Sequence, residues 1–224
     1  MKVSPSILAT RLTRLGEVLE KLKSPPVDYI HLDIMDAHFV PPLTFGEQLA
    51  EAVRSETEIP LDVHLMVESP EKEVPKYLPL EPEILTFHYE ASGAPIRLAE
   101  KIRHAGVKAG LALKPSTPIQ VVEDLYPYFD LFLIMTVEPG YYGQSLLSNS
   151  WARLKQFGDI RQRMAEFSDQ RCLLQVDGGV SDKNIGRLAE AGVDIVVAGA
   201  FVFQGGDPNL QVEILKENAK LTLS

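Results

Sequence analysis

A (β/α)8 barrel is the fold predicted by three features of this chain. Short β-rich runs alternate with helix-length amphipathic stretches throughout, the pattern of a parallel sheet joined by crossover helices. Candidate functional residues sit at the C-terminal ends of several separate runs, and a barrel builds its site from the ends of different strands. Eight β/α units also fit 224 residues, at the short end of the range for such barrels. A doubly wound open sheet is the main structural rival.

The first strand spans Val3 to Leu8 and leads to a helical pattern from Leu12 to Leu22. Tyr29 to Met35 alternates apolar Ile30, Leu32 and Ile34 with His31, Asp33 and Met35, and a helix follows over Phe45 to Arg54. Leu61 to Met66 repeats that alternation before a helix at Glu71 to Tyr77. The fourth and fifth units pair strands at Ile84 to Tyr89 and Lys108 to Lys114 with helices at Pro95 to His104 and Ile119 to Leu125. Leu131 to Val137 is an uncharged apolar strand, followed by a long helix from Asn149 to Phe167. Strands at Cys172 to Asp177 and Ile195 to Val202, with helices at Lys183 to Ala191 and Pro208 to Ala219, complete the series. No composition break or charge run marks a linker, so residues 1–224 read as one domain. The longest interval between strand starts runs from Leu131 to Cys172 and carries Glu138-Pro139-Gly140-Tyr141-Tyr142-Gly143-Gln144, the candidate active-site loop.

Composition narrows the class. With 22 basic and 31 acidic residues the net charge is −9, which disfavours non-specific attraction to nucleic acid or anionic lipid. The apolar runs fall short of the roughly 20 residues that cross a bilayer, and no signal-peptide pattern opens the chain. The single cysteine, Cys172, forms no intramolecular disulfide. A soluble cytoplasmic protein is expected, without nucleic-acid or membrane partners.

Strand parity carries the chemistry, because alternate side chains point to opposite faces. The second strand sends His31, Asp33 and Met35 inward, the third Asp62, His64 and Met66, and the seventh Gln175 and Asp177. Imidazoles and carboxylates are costly to bury unpaired. A divalent cation resolves the cost, and His31, Asp33, His64 and Asp177 form a mixed N/O set suited to Zn2+, Fe2+, Mn2+ or Co2+. Asp62 reads equally as an orienter of a ligand imidazole or as a structural partner. His38 reads as a loop residue, His88 as a structural residue near the ligands and His104 as part of a solvated helix face. Met35, Met66 and Met135 read as core filler on composition alone. The glycine-rich segments Gly140 to Gly143, Asp177-Gly178-Gly179 and Ala198-Gly199-Ala200 follow the last three strands. In barrels such loops offer backbone N–H donors to phosphate, so a phosphorylated small molecule is the expected ligand despite the negative charge.

These segments, with others, resemble the ribulose-phosphate 3-epimerase family. The similar stretches are Ser4-Pro-Ser-Ile-Leu8, His31-Leu-Asp-Ile-Met-Asp36, His38-Phe-Val-Pro41, Asp62-Val-His-Leu-Met-Val67, Met135-Thr-Val, Pro139-Gly140, Gly143-Gln144, Val176-Asp-Gly-Gly-Val180 and Val197-Ala-Gly199. The resemblance implies a TIM barrel of the ribulose-phosphate-binding type that inverts C3 of a ketose phosphate through an enediolate. It assigns His31, Asp33, His64 and Asp177 to one divalent metal, and Asp33 and Asp177 to two-base proton transfer. It assigns Ser6, His64, Met35, Met66 and Met135 to the substrate and reaction centre. Gly140, Tyr141, Tyr142, Gly143, Gly178, Gly179, Gly199 and Ala200 fall to the phosphate-side loops. It also implies a homo-oligomer.

The chain departs from the family pattern at Ala37, Pro42, Lys114, Glu138, Tyr142 and Ala200. Tyr142 is expected to restrict φ in a glycine-rich turn and narrow the pocket, Lys114 and Glu138 to pair across strand ends, and Ala200 to lose a serine hydroxyl while keeping its N–H. The departures bear on the choice of sugar. A 3-epimerase of a ketohexose phosphate such as allulose 6-phosphate is the nearest alternative, and a non-catalytic sugar-phosphate-binding barrel the non-enzyme one. Related decarboxylase barrels carry Asp-x-Lys-x-x-Asp where this chain has Asp62-Val-His64-Leu-Met-Val67.

Overall fold

Strand pairing runs almost completely around the molecule. The computed structural model describes residues 1–22, 26–167 and 170–222. Its strands are β1 (Lys2–Pro5), β2 (Ile30–Met35), β3 (Leu61–Met66), β4 (Ile84–His88), β5 (Lys108–Leu113), β6 (Leu131–Met135), β7 (Leu173–Asp177) and β8 (Ile195–Ala198). They form one 8-stranded parallel sheet in the order β1-β8-β7-β6-β5-β4-β3-β2. A parallel bridge between Ser6 and His31 joins the two ends, so the sheet closes as a nearly complete barrel.

The helices are α1 (Leu15–Lys21), α2 (Glu47–Glu56), α3 (Pro70–Tyr77), α4 (Pro95–His104), α5 (Val121–Leu125), α6 (Ser150–Met164), α7 (Ile185–Glu190), α8 (Ala200–Gln204) and α9 (Pro208–Leu221). The outward strand residues Ile30, Leu32, Ile34, Val63 and Leu65 join Ala50, Val53, Val74, Leu98 and Ile102 of the helices in one buried cluster. Each fully covered Leu or Ile there contributes about 1.5–3 kcal/mol of transfer free energy. α9 is capped by Asp207, whose side chain accepts from the N–H groups of Asn209 and Leu210. No helix among the described residues is long and apolar enough to cross a membrane.

Register sets the site. It places His31 beside Asp62, Asp33 beside His64 and Met35 beside Met66 across β2 and β3, and Met135 beside Asp177 across β6 and β7. Inward side chains of these strands therefore stack in successive levels of the barrel, with Asp33 and His64 side by side.

Some boundaries differ from expectation. The first strand stops at Pro5, because the Ser6 hydroxyl accepts the Leu8 N–H and caps a 3-10 turn over Ile7–Ala9. The last strand stops at Ala198. Gly199, at φ −97° and ψ −78°, turns the chain, and Ala200–Gln204 becomes α8 instead of continuing the strand to Val202. The first helix is split into a 3-10 turn at Leu12–Arg14 and α1, and the long sixth helix ends at Met164, before Phe167.

Candidate active site

His31 and Asp33 enter the barrel from β2, His64 from β3 and Asp177 from the end of β7. One ligand-type atom from each lies within 4.8 Å of the others. Asp33 Oδ1 is 3.3 Å from His31 Nε2 and 3.4 Å from His64 Nδ1, and Asp177 Oδ2 is 3.6 Å from His64 Nδ1. Both imidazoles are fully buried, whereas the Asp177 side chain keeps 17% exposure. The two nitrogens aimed at the cluster, His31 Nε2 and His64 Nδ1, are buried and make no hydrogen bond.

Two bare imidazole nitrogens facing two carboxylates form a donor set that a divalent cation completes. The electrostatics agree. Burial pushes the imidazole pKa values down, yet Asp62 and Asp33 hold His31 well above its ordinary value, and Asp177 and Asp33 raise His64. Burial pushes the Asp33 carboxyl up, and His31 and His64 override this to hold it far below the carboxylate range. A field that favours protons at these atoms also favours a divalent cation at the same point.

A second ring of contacts fixes the imidazoles. Asp62 Oδ2 accepts from His31 Nδ1 at 2.7 Å, from Ser4 Oγ at 2.9 Å and from Gln175 Nε2 at 2.5 Å. Of the two readings open for Asp62, this geometry favours the orienting one, since its contact turns His31 Nε2 towards the cluster. Ser6 Oγ donates to Asp33 Oδ2 at 2.5 Å, leaving Oδ1 towards the histidines.

A cavity of about 600 Å3 opens over the cluster. Ser6, Asp33, Met35, Met66, Met135 and Asp177 form its inner lining, while His31 and His64 lie buried behind. Gly140, Tyr141, Tyr142, Gly143, Gly178, Gly179, Gly199 and Ala200 line the outer part. Gly179 is required by close approach: at φ 69° a Cβ there meets the Leu146 backbone nitrogen at 2.4 Å. The constraint expected at Tyr142 falls elsewhere, because the positive φ values of that turn belong to Gly140 and Gly143. Tyr142 lines the cavity and remains 54% exposed.

Other expectations resolve differently. Lys114 lies over the Phe39 ring, with Nζ 3.7 Å from the centroid, and the expected pairing with Glu138 is not formed. His38 is exposed and its Nδ1 meets the Asp36 carbonyl at 2.7 Å, a loop-fixing contact. His88 is wholly buried. Its Nε2 lies 2.9 Å from His64 Nε2 and its Nδ1 3.2 Å from Glu90 Oε2. Burial pushes the His88 imidazole down to about 4, while hydrogen bonds from His88 and Thr117 overcome burial to hold Glu90 down to about 2.

Sequence reasoning did not place Glu90 near the histidines, nor Lys183 at the cavity, where it is the only lysine or arginine among the described lining residues. The sequence signal for Glu90 is its position two residues after His88, at a strand end. Lys183 had a weaker signal, lying shortly after the Gly178-Gly179 turn.

Barrel and centre together define a (β/α)8-barrel protein whose buried His/Asp cluster could hold a metal. The chain belongs to the ribulose-phosphate 3-epimerase family, matching the profile of the Ribulose-phosphate 3 epimerase family over residues 2–203. It is 40% identical over 207 residues to the ribulose-phosphate 3-epimerase of Bacillus subtilis, covering 92% of this chain and 94% of that one. Against the enzyme of that name from Mycobacterium tuberculosis the identity is 38% over 217 residues, covering 97% and 92%. Among solved structures, KGPDC from Streptococcus mutans superposes with a TM-score of 0.71 at 11% identity, covering 100% of this chain and 99% of that one. A 3-hexulose-6-phosphate synthase gives 0.67 at 16% identity, covering 97% and 99%. These two likenesses speak to the fold alone.

Proposed function

We propose that this protein interconverts D-ribulose 5-phosphate and D-xylulose 5-phosphate by moving the proton at C3, with one divalent cation held by His31, Asp33, His64 and Asp177. One observation carries the reading: two aspartates, from β2 and from β7, flank the same buried histidine pair at the inner end of an open cavity. Membership of the family and the names of its relatives support the choice of a pentulose phosphate.

A proton α to a carbonyl is too weakly acidic to leave at neutral pH without stabilisation of the negative charge that develops. A divalent cation held by His31, Asp33, His64 and Asp177 would supply that stabilisation as a Lewis acid, and the two-nitrogen, two-carboxylate donor set suits Zn2+, Fe2+, Mn2+ or Co2+. Inversion then needs a base on each face of C3. Asp33 and Asp177 occupy different walls of the barrel, so one carboxylate takes the proton while the other, protonated, delivers one to the opposite face. Their environments differ. Asp33 is buried and hydrogen-bonded to Ser6, whereas Asp177 is partly open to the cavity. Met35, Met66 and Met135 provide an apolar wall that keeps water from the developing charge. Backbone N–H groups at Gly178, Gly179, Gly199 and Ala200 bind the phosphate, with Lys183 as a nearby cation.

The test is a coupled assay of ribulose 5-phosphate conversion with purified protein, before and after chelation and after restoring each of the four cations. Conversion lost on chelation and restored by at least one cation supports the proposal. Conversion untouched by removal of all metal contradicts it, and preference for allulose 6-phosphate moves the substrate to a hexulose.

A further inference from the structure

We propose that His88 and Glu90 act as positioning residues, holding His64 in the tautomer that presents a bare Nδ1 to Asp33 and Asp177. This rests on the metal-site reading given above. His64 Nδ1 is buried and accepts no hydrogen, so as a ligand nitrogen it needs its ring proton on Nε2. That proton has a partner. His88 Nε2 lies 2.9 Å away, and two ring nitrogens at that distance share one hydrogen between a donor and an acceptor.

The far end of the chain sets its direction. His88 Nδ1 faces Glu90 Oε2 at 3.2 Å, and an ionised carboxylate only accepts. His88 therefore donates from Nδ1 and accepts at Nε2, which leaves His64 to donate from Nε2 and expose Nδ1. Glu90 is itself anchored: its Oε1 accepts from the Lys114 N–H at 2.8 Å and from the Thr117 hydroxyl. Phe39 packs against the His88 ring with centroids 4.7 Å apart and carries Lys114 Nζ on its face. A packed core histidine needs no such carboxylate terminus. Both imidazoles of the cluster thus end on an acidic group, His31 directly on Asp62 and His64 through His88 on Glu90.

The experiment follows His64 by nitrogen-15 NMR and measures Co2+ affinity by chelator competition, in wild type, His88→Phe, His88→Gln and Glu90→Gln. His88→Phe keeps a ring against Phe39 but removes the acceptor, and His88→Gln restores one. The expected result is a metal-free wild type with His64 protonated on Nε2. Co2+ affinity falls roughly 10- to 100-fold in His88→Phe, by less in Glu90→Gln, and recovers in part in His88→Gln. Glu90→Gln, at a partly exposed carboxylate, keeps the test open should His88→Phe not fold. Wild-type Co2+ affinity in both His88→Phe and Glu90→Gln, or His64 protonated on Nδ1 in the metal-free wild type, overturns the relay while leaving the metal site intact. A wild type that binds no Co2+ overturns the metal reading and the relay with it.

Discussion

His31 Nδ1 lies 2.7 Å from Asp62 Oδ2, and this contact decides which nitrogen His31 turns towards the barrel centre. The same oxygen gathers hydrogens from Ser4 and Gln175, so three elements of the barrel converge behind one ligand-type imidazole. Replacing Asp62 by Asn removes the charge while keeping the size. Divalent-metal affinity is expected to fall roughly 10- to 100-fold, read by chelator competition on folded protein. An unchanged affinity contradicts an orienting role for Asp62.

Ala37 has φ 61°, in the left-handed region, with its N–H bonded to the Pro42 carbonyl at 3.0 Å. A side chain there costs roughly 1–2 kcal/mol, which glycine relieves at the expense of about 0.5–1 kcal/mol of unfolded-chain entropy. Ala37→Gly is therefore expected to stabilise the protein by about 0.5–1 kcal/mol in urea denaturation.

The Gly179→Ala substitution inserts a Cβ at 2.4 Å from the Leu146 backbone nitrogen, in a conformation that alanine resists. Movement of the Ser145–Leu146 segment opens the cavity on the side proposed to bind phosphate. A fall in kcat/KM of about tenfold or more is expected, dominated by a higher KM for the sugar phosphate, with circular dichroism retained.

Cys172 is buried, with its sulfur against the Tyr126 and Phe129 carbonyls, and burial pushes its thiol up to about 12. The unfolded thiol ionises near 8.5, so above that pH the unfolded chain sheds a proton that the folded chain keeps. Its contribution is full below the unfolded value and declines as pH rises towards the folded one. Between pH 7.5 and 10 the wild type is expected to lose about 2 kcal/mol more stability than Cys172→Val, measured by urea denaturation at both pH values.

The alternation in Tyr29–Met35 and Leu61–Met66 made the barrel and its inward histidines and aspartates readable, because a period of two assigns every residue to a face. The run Ile195–Phe203 carried no such information. It is apolar throughout, and a buried strand and a buried helix look alike there until Gly199 turns the chain. His88 was legible as a residue near the ligands, but its contact with His64 and the role of Glu90 were not. His88 meets His64 only through the pairing of β3 with β4, with Glu90 behind it, and neighbouring-strand contacts depend on register rather than on sequence spacing. The Lys114–Glu138 pairing failed because an aromatic face, Phe39, lies within reach of the ammonium group.

Solvent deuterium incorporation at C3, followed by NMR on ribulose 5-phosphate, tests the two-aspartate account most directly, using wild type, Asp33→Asn and Asp177→Asn with and without a chelator. The account predicts rapid chelator-sensitive exchange in wild type and a fall of at least about 100-fold in epimer formation in each variant. Epimer formation at wild-type rates in either variant, or exchange indifferent to chelation, contradicts it.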